Sequence, residues 1–379
     1  MNKRLVLSLV CCVLAHLSYA QAPIQFTLEG ANSTKVGVTT NGRLFWDDTK
    51  GNFSGAEGVD MLQVGGLWLS GFDPSGNLKG AIQEYNATEN SDFKPGLIDP
   101  NTQEPFAVNE FWRVTEEEIN NHLLDFEDNG VIDNPQEAIF GWPGRDNHFF
   151  EQYNDFPLPS TFSGLAPFWD NNGNGIYNPD DGDYPIVEIR GCGAQPIIPA
   201  EMVWFGFNDF GAHSSGMLSL NVEVHATVFT FACDNEQGID NSVFVRYKII
   251  NRGTEPLVET RAGFLTAFSV GCPNNDYLGT NTDWNLVYGY NSEATDEACG
   301  LFDGLVSPPA VVATKFLRGP FNELGQELGL SSIMPIYYNS PSLPPAMRAP
   351  STPTEYYNYL SGTWRDGSEL MVGGNGYQS

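Results

Sequence analysis

Residues 220–231 read LNVEVHATVFTF, and this stretch decides the fold. Leu220, Val222, Val224, Ala226 and Val228 recur at every second position, the period of an extended strand whose successive side chains face opposite ways. Phe229 and Phe231 then fall on the other parity, which requires either a bulge or a strand buried on both faces. A second run, SVFVRYKII at 242–250, alternates Val243, Val245, Tyr247 and Ile249. Asn251-Arg252-Gly253-Thr254 turns it toward a third run, PLVETRAGFLTAF at 256–268. Long antiparallel strands of this kind need two stacked sheets to bury their apolar faces, so the expectation is an all-β protein with an antiparallel β-sandwich over residues 186–379.

Working back from there, the punctuation agrees. The chain holds 40 glycines, 25 prolines and 48 aromatic residues, a composition suited to short strands joined by Gly/Pro/Asn-rich loops. VGVTTNGRLFW at 36–46 predicts a hairpin turning at Asn41-Gly42, with positive φ at both residues. GGLWLSGFDPSGNLKGA at 65–81 predicts another, turning at Asp73-Pro74-Ser75-Gly76. One short helix is expected near 116–124, because Thr115 and Glu118 form a capping box ahead of Ile119, Leu123 and Leu124. Residues 21–169 thus form an amino-terminal β-rich region with that helix. SPSLPPAMRAPSTPTE at 340–355 reads as an extended surface loop. The chain stops at GGNGYQS with no closing element, and the sandwich is expected to be cut short there.

The amino terminus, MNKRLVLSLVCCVLAHLSYA, has the order of a cleaved export signal at 1–20: Lys3 and Arg4, an apolar run from Leu5 to Leu17, then Ser18-Tyr19-Ala20. That run is shorter than the roughly 20 residues a membrane-spanning helix needs, and no later stretch approaches it, so no transmembrane segment is expected. With 18 basic against 47 acidic residues the formal net charge is −29, which excludes nucleic acid as a natural partner. Cys192, Cys233, Cys272 and Cys299 lie beyond the signal. In an exported chain they suggest two disulfides; four cysteines allow three connectivities, and we favour Cys192–Cys233 with Cys272–Cys299. On the chain-entropy account each would stabilise by about 3.5–4 kcal/mol.

Chemistry speaks most clearly in DNNGNGIYNPDDGDYP at 170–185. A calcium loop supplies oxygens at positions one, three, five, seven, nine and twelve, with glycine at six where the backbone turns sharply. Asp170, Asn172, Asn174, the Ile176 carbonyl, Asn178 and Asp181 fall on those ligand positions, and Gly175 on the sixth. With two formal charges among the ligands, affinity belongs in the ~10⁻⁴–10⁻³ M range of extracellular modules. The competing reading is an Asx-rich turn whose Asn and Asp side chains cap their own backbone. DFEDNGVIDNPQE at 125–137 echoes the pattern with Gln136 at the twelfth place, and reads as a helix-capping turn. CPNNDYLG at 272–279 reads equally as an oxygen-rich site or a disulfide-pinned turn.

Catalytic templates are absent: there is no Gly-x-Ser-x-Gly and no His-Glu-x-x-His. His225 falls on the polar parity of its strand and reads as solvated. His148 and His213 lie in loops near Asp146 and Asp209, an arrangement more common for loop hydrogen bonds than for a general base. A pair of carboxylates for glycoside chemistry cannot be read from spacing, and Trp68, Trp112, Trp142, Trp169 and Trp204 are the rings that could stack on sugars if they are exposed.

Several blocks together carry a resemblance: GGLWLSGFDPSGNLKGA, DFKPGLID, FWRVTEEEINNH, GWPGRDNHF, LAPFWDNNGNGIYNPDDGDYP, EVHATVFTF, VRYKIINRGTEPL, CPNNDYLG, PPAVVATKFLRGP and YYNYLSGTWRDG. In order and spacing the chain resembles large secreted and cell-surface proteins of gliding Gram-negative bacteria, typically cargo of the type IX secretion system. The resemblance implies a secreted or cell-surface location and a structural, adhesion or gliding-motility role. It also implies further β-domains and a carboxy-terminal sorting domain, which this sequence does not contain. Relatives tend to carry paired acids where this chain has Ala267, Ser269 and Asn275, which weakens a second metal site there. The expectation is therefore an exported, non-enzymatic surface protein with a calcium-ordered loop, meeting surface glycans or other surface proteins. The alternative is a secreted glycan-binding module or glycoside-active enzyme.

Overall fold

The structure is a computed structural model, and it describes residues 22–377 except 30–33, 47–51, 55–57, 86–90, 103–104, 107, 159–164, 192–194, 234–236, 274, 297, 300–309 and 339–340. The export signal and Cys192 lie outside the described residues. In chain order the main strands are β1 (Gln25–Glu29), β2 (Lys35–Thr39), β3 (Leu62–Phe72), β4 (Leu78–Ile82) and β5 (Trp112–Thr115). They continue with β6 (Glu201–Asn208), β7 (Val222–Thr230), β8 (Phe244–Asn251), β9 (Val258–Phe268), β10 (Asp276–Asn281), β11 (Leu286–Asn291) and β12 (Val311–Lys315). Among the described residues strand outweighs helix by 34% to 13%, and the principal sheets are antiparallel, so the fold is all-β.

Two sheets make the sandwich. One runs β8–β7–β6, with β5 on the far edge of β6. The other joins β9–β3–β4 to β1–β2 through Leu44, which exchanges hydrogen bonds with Gly65 at 2.8 and 2.9 Å. Their facing side chains, Leu28, Val36, Val38, Leu67 and Leu69 against Val203, Phe205, Phe207, Val222, Val224 and Val228, form one buried core. The sandwich is therefore not confined to residues from 186 onward: β1 to β4 supply half of it. Local pattern could not show this, because β3 pairs with β9 from Val258↔Phe72 to Phe268↔Leu62, across most of the chain. The turn after β8 carries the chain from one sheet to the other.

Strand β7 pairs in unbroken register with β6 and β8, and every one of its residues is buried. The parity change at Phe229 thus marks burial on both faces rather than a bulge. Val222 to Val228 face the other sheet, while Phe229 joins a second core with Trp112, Trp142, Tyr177, Met202 and Trp204. That second core lies under α1 (Glu116–Asn129), the short helical turns at 137–140 and 150–154, and the segment 165–187. A third cluster, of Trp68, Ile82, Met347, Tyr356, Tyr359 and Trp364, covers the outer side of the β3–β4 pair.

Helix α1 begins as expected, with the Glu118 N–H on Thr115 Oγ1 at 3.3 Å and the Thr115 N–H on Glu118 Oε2 at 2.8 Å. It runs to Asn129, five residues past the expected end; in those last turns Phe126 alone is apolar, so no stripe marks them in the sequence. Gly130 closes it at φ 77°, its N–H on Phe126 O at 2.8 Å. A second helix, α2 (Pro353–Leu360), takes over the last three residues of the stretch 340–355 expected to be a surface loop. Pro353 stands at the helix start, where its missing N–H costs nothing, and Thr352 with Glu355 forms a capping box. Tyr356 of α2 meets the Trp68 ring edge-on at 5.3 Å, and Ala346 and Met347 just before it are buried.

The hairpin after β2 turns differently from the expectation. The Gly42 N–H donates to Thr39 O and the Thr39 N–H to Arg43 O, both at 2.9 Å, and of Asn41 and Gly42 only Gly42 takes positive φ, 85°. This is a three-residue loop with a left-handed third residue rather than a two-residue one. Space demands glycine there too, since a Cβ would come within 2.6 Å of the Phe207 ring.

Candidate metal loop and exposed aromatic face

Residues 170–183 fold back on themselves between the short paired strands 168–169 and 184–185. Asp170 organises the first half. Its Oδ1 accepts the N–H groups of Gly173 at 2.7 Å and Asn174 at 3.1 Å, and its Oδ2 that of Gly175 at 2.6 Å. Asn172 Oδ1 accepts from Asn174 at 3.0 Å, Asn174 Oδ1 from Ile176 at 2.7 Å, and Asn178 Oδ1 from Asp180 at 3.3 Å. Gly175, the expected sharp turn, has φ 77°, and Gly173 has φ 74°. The ends meet: Asn172 Nδ2 donates to Asp181 Oδ2 at 3.0 Å, and Asn171 Nδ2 to Asp181 O at 2.9 Å.

The structure thus joins the third and twelfth positions and ties the first to the fourth, fifth and sixth. Ile176 is 43% exposed, so its carbonyl segment lies at the surface of the arc. Each carboxylate or amide oxygen has two lone pairs, so, apart from Asp170 Oδ1, the ligand oxygens retain acceptor capacity. Two carboxylates with amide and carbonyl oxygens suit a hard cation such as calcium rather than a softer metal that seeks nitrogen or sulfur. Among the described residues no group of three or more His, Cys, Asp or Glu side chains is placed to hold a metal. The same contacts serve an Asx-turn that caps itself; what separates the readings is the response to the ion.

Sequence spacing missed the residue that anchors the loop. Asp183, one turn beyond the arc, is fully buried, and its carboxylate accepts the N–H of Asn171 at 2.8 Å and of Asn178 at 2.9 Å. Burial pushes this carboxyl above the ordinary range, with Asp170 and Asp181 adding to the rise against the two N–H donors. Phe126 of α1 packs over Gly182, and the buried His122 faces the Asp183 backbone and the Asp125 and Asp180 carboxylates. Burial holds that imidazole below its usual pKa. A charged residue buried under a helix leaves no periodic mark, so only the structure reveals it.

The echo at 125–137 is a helix-capping turn, as expected: Asp125, Glu127 and Asn129 lie on α1, Gly130 is its cap, and Asp125 Oδ2 accepts the Asn134 N–H at 2.8 Å. In CPNNDYLG the expected bridge Cys272–Cys299 is formed, with Cα atoms 5.4 Å apart. Cys233 is half-buried and bonds no described cysteine. Beside the bridge, the Cys272 N–H donates to Asp296 at 2.9 Å and the Val270 N–H to Asp276 at 2.8 Å. Burial, with Asp296 nearby, pushes the Asp276 carboxyl up to about 6.

His225 is not solvated but 2% exposed, under the second core. Its Nε2–H donates to Glu223 Oε1 at 2.7 Å, and the fully buried Glu223 also accepts from Arg252 Nη2 at 2.7 Å and the Ile98 N–H at 2.5 Å. Burial lowers the His225 pKa, Glu223 opposing, so the ring is neutral. Burial raises Glu223, but His225 and Arg252 outweigh it and leave the carboxyl below its usual range. His213 is buried as well, its ring nitrogens 2.8 Å from Gly80 O and 2.6 Å from Asp209 O, tying the segment after β6 to β4. Asp146 pairs with Arg145 at 3.5 Å while His148 packs on Phe149, so no Asp-oriented histidine faces solvent at these sites.

The tryptophans expected to offer stacking surfaces are mostly core: Trp68, Trp112, Trp142 and Trp204 are at most 7% exposed, and Trp169 is half-buried. On the small sheet β10–β11–β12, by contrast, one exposed ring, Tyr277, adjoins two half-buried ones, Tyr288 and Tyr290. Register puts Tyr277, Gly279 and Asn281 on one face with Leu286, Tyr288, Tyr290, Val311, Ala313 and Lys315. Tyr277 is 55% exposed, and the Tyr277–Tyr290 and Tyr288–Tyr290 centroids lie 5.9 and 5.8 Å apart, at 28° and 32° between planes. Tyr288 lies across Gly279, where a Cβ would fall inside its ring. On the opposite face Val312 joins the main core and Gly289 packs against Phe268, while Leu278 at the β10 edge is 55% exposed.

What fold and sites define is an all-β sandwich bearing an Asx-rich loop at one side and an aromatic sheet face elsewhere. No known protein family, characterised protein or solved structure matches the chain. No helix among the described residues is long and apolar enough to cross a membrane.

Proposed function

We propose that this is an exported cell-surface or extracellular protein of structural, adhesion type, without catalytic activity, whose loop 170–181 is ordered by calcium. The observation that carries the calcium reading is the closure of the arc, position three against position twelve through Asn172 and Asp181. Asp170, Asn172, Asn174, the Ile176 carbonyl, Asn178 and Asp181 would supply the oxygens. The ion would offset the local acidity of Asp170, Asp180, Asp181 and the buried Asp183, and fix the segment that lies under α1.

The export reading draws on the amino-terminal signal pattern and on the Cys272–Cys299 bridge, since such bridges persist in oxidising compartments. Resemblance to type IX secretion cargo of gliding bacteria supports a place on the cell surface, with surface glycans or other surface proteins as partners. A ligand stabilises only by binding the folded state. At ~10⁻⁴–10⁻³ M affinity, 10 mM calcium should stabilise by about 1.4–2.7 kcal/mol. The test is a thermal melt of the mature chain in 10 mM calcium against chelator, with Asp170→Ala expected to abolish the rise. A wild-type melt identical in both buffers would remove calcium from the proposal.

A further inference from the structure

The solvent face of the β10–β11–β12 sheet has features that packing alone does not require. Tyr288 over Gly279 can be read as a ring shielding a glycine in a strand, but that role asks nothing of Tyr277 or Tyr290. Their rings continue the same surface at 5.8–5.9 Å spacing and modest tilt, and Tyr277 is more than half exposed. None of the three hydroxyls bonds a described residue. In a chain with 47 acidic residues, the described strand residues of this face include no carboxylate; their polar groups are Asn281, the three phenols and Lys315.

Size and charge select the occupant. Three strands of about five residues, at ~3.4 Å per residue and ~4.8 Å between strands, present roughly 200 Å². A stable protein partner needs about 800 Å² on each side. The face is therefore too small for a second copy or another folded domain, yet long enough for a few sugar rings. The net charge of −29 repels polyanions. Apolar faces of pyranose rings lie flat on tyrosines, while phenol, amide and ammonium groups meet the ring hydroxyls.

We infer that Tyr277, Tyr288 and Tyr290, with Asn281 and Lys315 at the rim, form a binding platform for a neutral oligosaccharide. The inference rests on the surface-glycan side of the proposed function and not on its calcium loop. The experiment is affinity electrophoresis of the mature chain in gels containing β-glucan, xyloglucan, galactomannan or the anionic alginate, run with calcium and again with chelator. Retardation by at least one neutral polymer is expected, persisting in chelator. Tyr277→Ala and Tyr290→Ala should each weaken it about three- to tenfold, since a ring contact is worth about 0.5–1.5 kcal/mol beyond its buried area. Asp170→Ala should leave it unchanged, which separates this site from the calcium loop. Both tyrosines flank Tyr288 without covering Gly279, and matching near-ultraviolet circular dichroism will verify that the variants are folded. No retardation by any neutral polymer, retardation by alginate alone, or retardation undiminished in a folded Tyr277→Ala/Tyr290→Ala variant would overturn the inference.

Discussion

Replacing Glu223 by alanine tests a buried polar node of the sandwich. The wild-type carboxylate, fully buried on β7, accepts three hydrogen bonds: from His225 and Arg252 at 2.7 Å and from the Ile98 N–H at 2.5 Å. Arg252 retains a path to water, its side chain being 19% exposed, so its loss is modest. The Ile98 N–H and the His225 Nε2–H have no such path, both residues being at most 2% exposed. Each buried donor left unpaired costs about 1–3 kcal/mol, and breaking a buried ion pair about 3–5 kcal/mol. Glu223→Ala should therefore destabilise by ~3–5 kcal/mol, read as a lower urea midpoint with tryptophan fluorescence as the probe. Glu223→Gln keeps the shape and one acceptor oxygen and should fall between. Because the folded carboxyl titrates below its usual range, this stabilisation is present above the unfolded-state pKa and is lost as pH falls through the folded one. A loss under about 1 kcal/mol for Glu223→Ala at pH 7 would refute the account of a three-donor node.

Two further outcomes follow from single positions. Gly42→Ala should destabilise by more than ~1 kcal/mol, since φ 85° strains an L-residue and the new methyl meets the Phe207 ring; an unchanged urea midpoint would refute this. For Asp276 the folded carboxyl, near 6, stays protonated where the unfolded one, near 3.8, has ionised, so stability falls as pH rises from about 4 to 6 and is level above. After allowance for its partial exposure the fall should be about 1–2 kcal/mol, and it should vanish in Asp276→Asn when midpoints at pH 4.5 and 7 are compared.

How far the sequence reaches differs element by element. Strand β7 was legible because Val222 to Val228 alternate strictly, and even its two-sided burial showed in the parity of Phe229. Its polar face was not: a histidine between a glutamate and a threonine looks solvated until a layer covering that side is known to exist. Helix α1 announced its start through Thr115 and Glu118 but not its end. Helix α2 was hidden in plain view, because Pro353 and the prolines before it suggested a loop although Thr352 and Glu355 form the same capping box. In the loop, spacing marked Asp170, Asn172 and Asp181, whose hydrogen bonds within the arc are local. Asp183 was not, since its role comes from burial beneath α1. The tyrosine face leaves no mark in the sequence for a similar reason: Tyr277 and Tyr290 become neighbours only through the β10–β11 register.

The pairing of β3 with β9 has a temporal consequence. During synthesis the eleven residues Leu62–Phe72 have one edge unsatisfied until Phe268 emerges. At ~5–20 residues per second, making the intervening chain takes roughly 10–40 s. For that interval LQVGGLWLSGF offers unpaired amides and an apolar strand to any other nascent chain nearby. A holding chaperone, or passage through a pore before collapse, would shield it until its partner arrives.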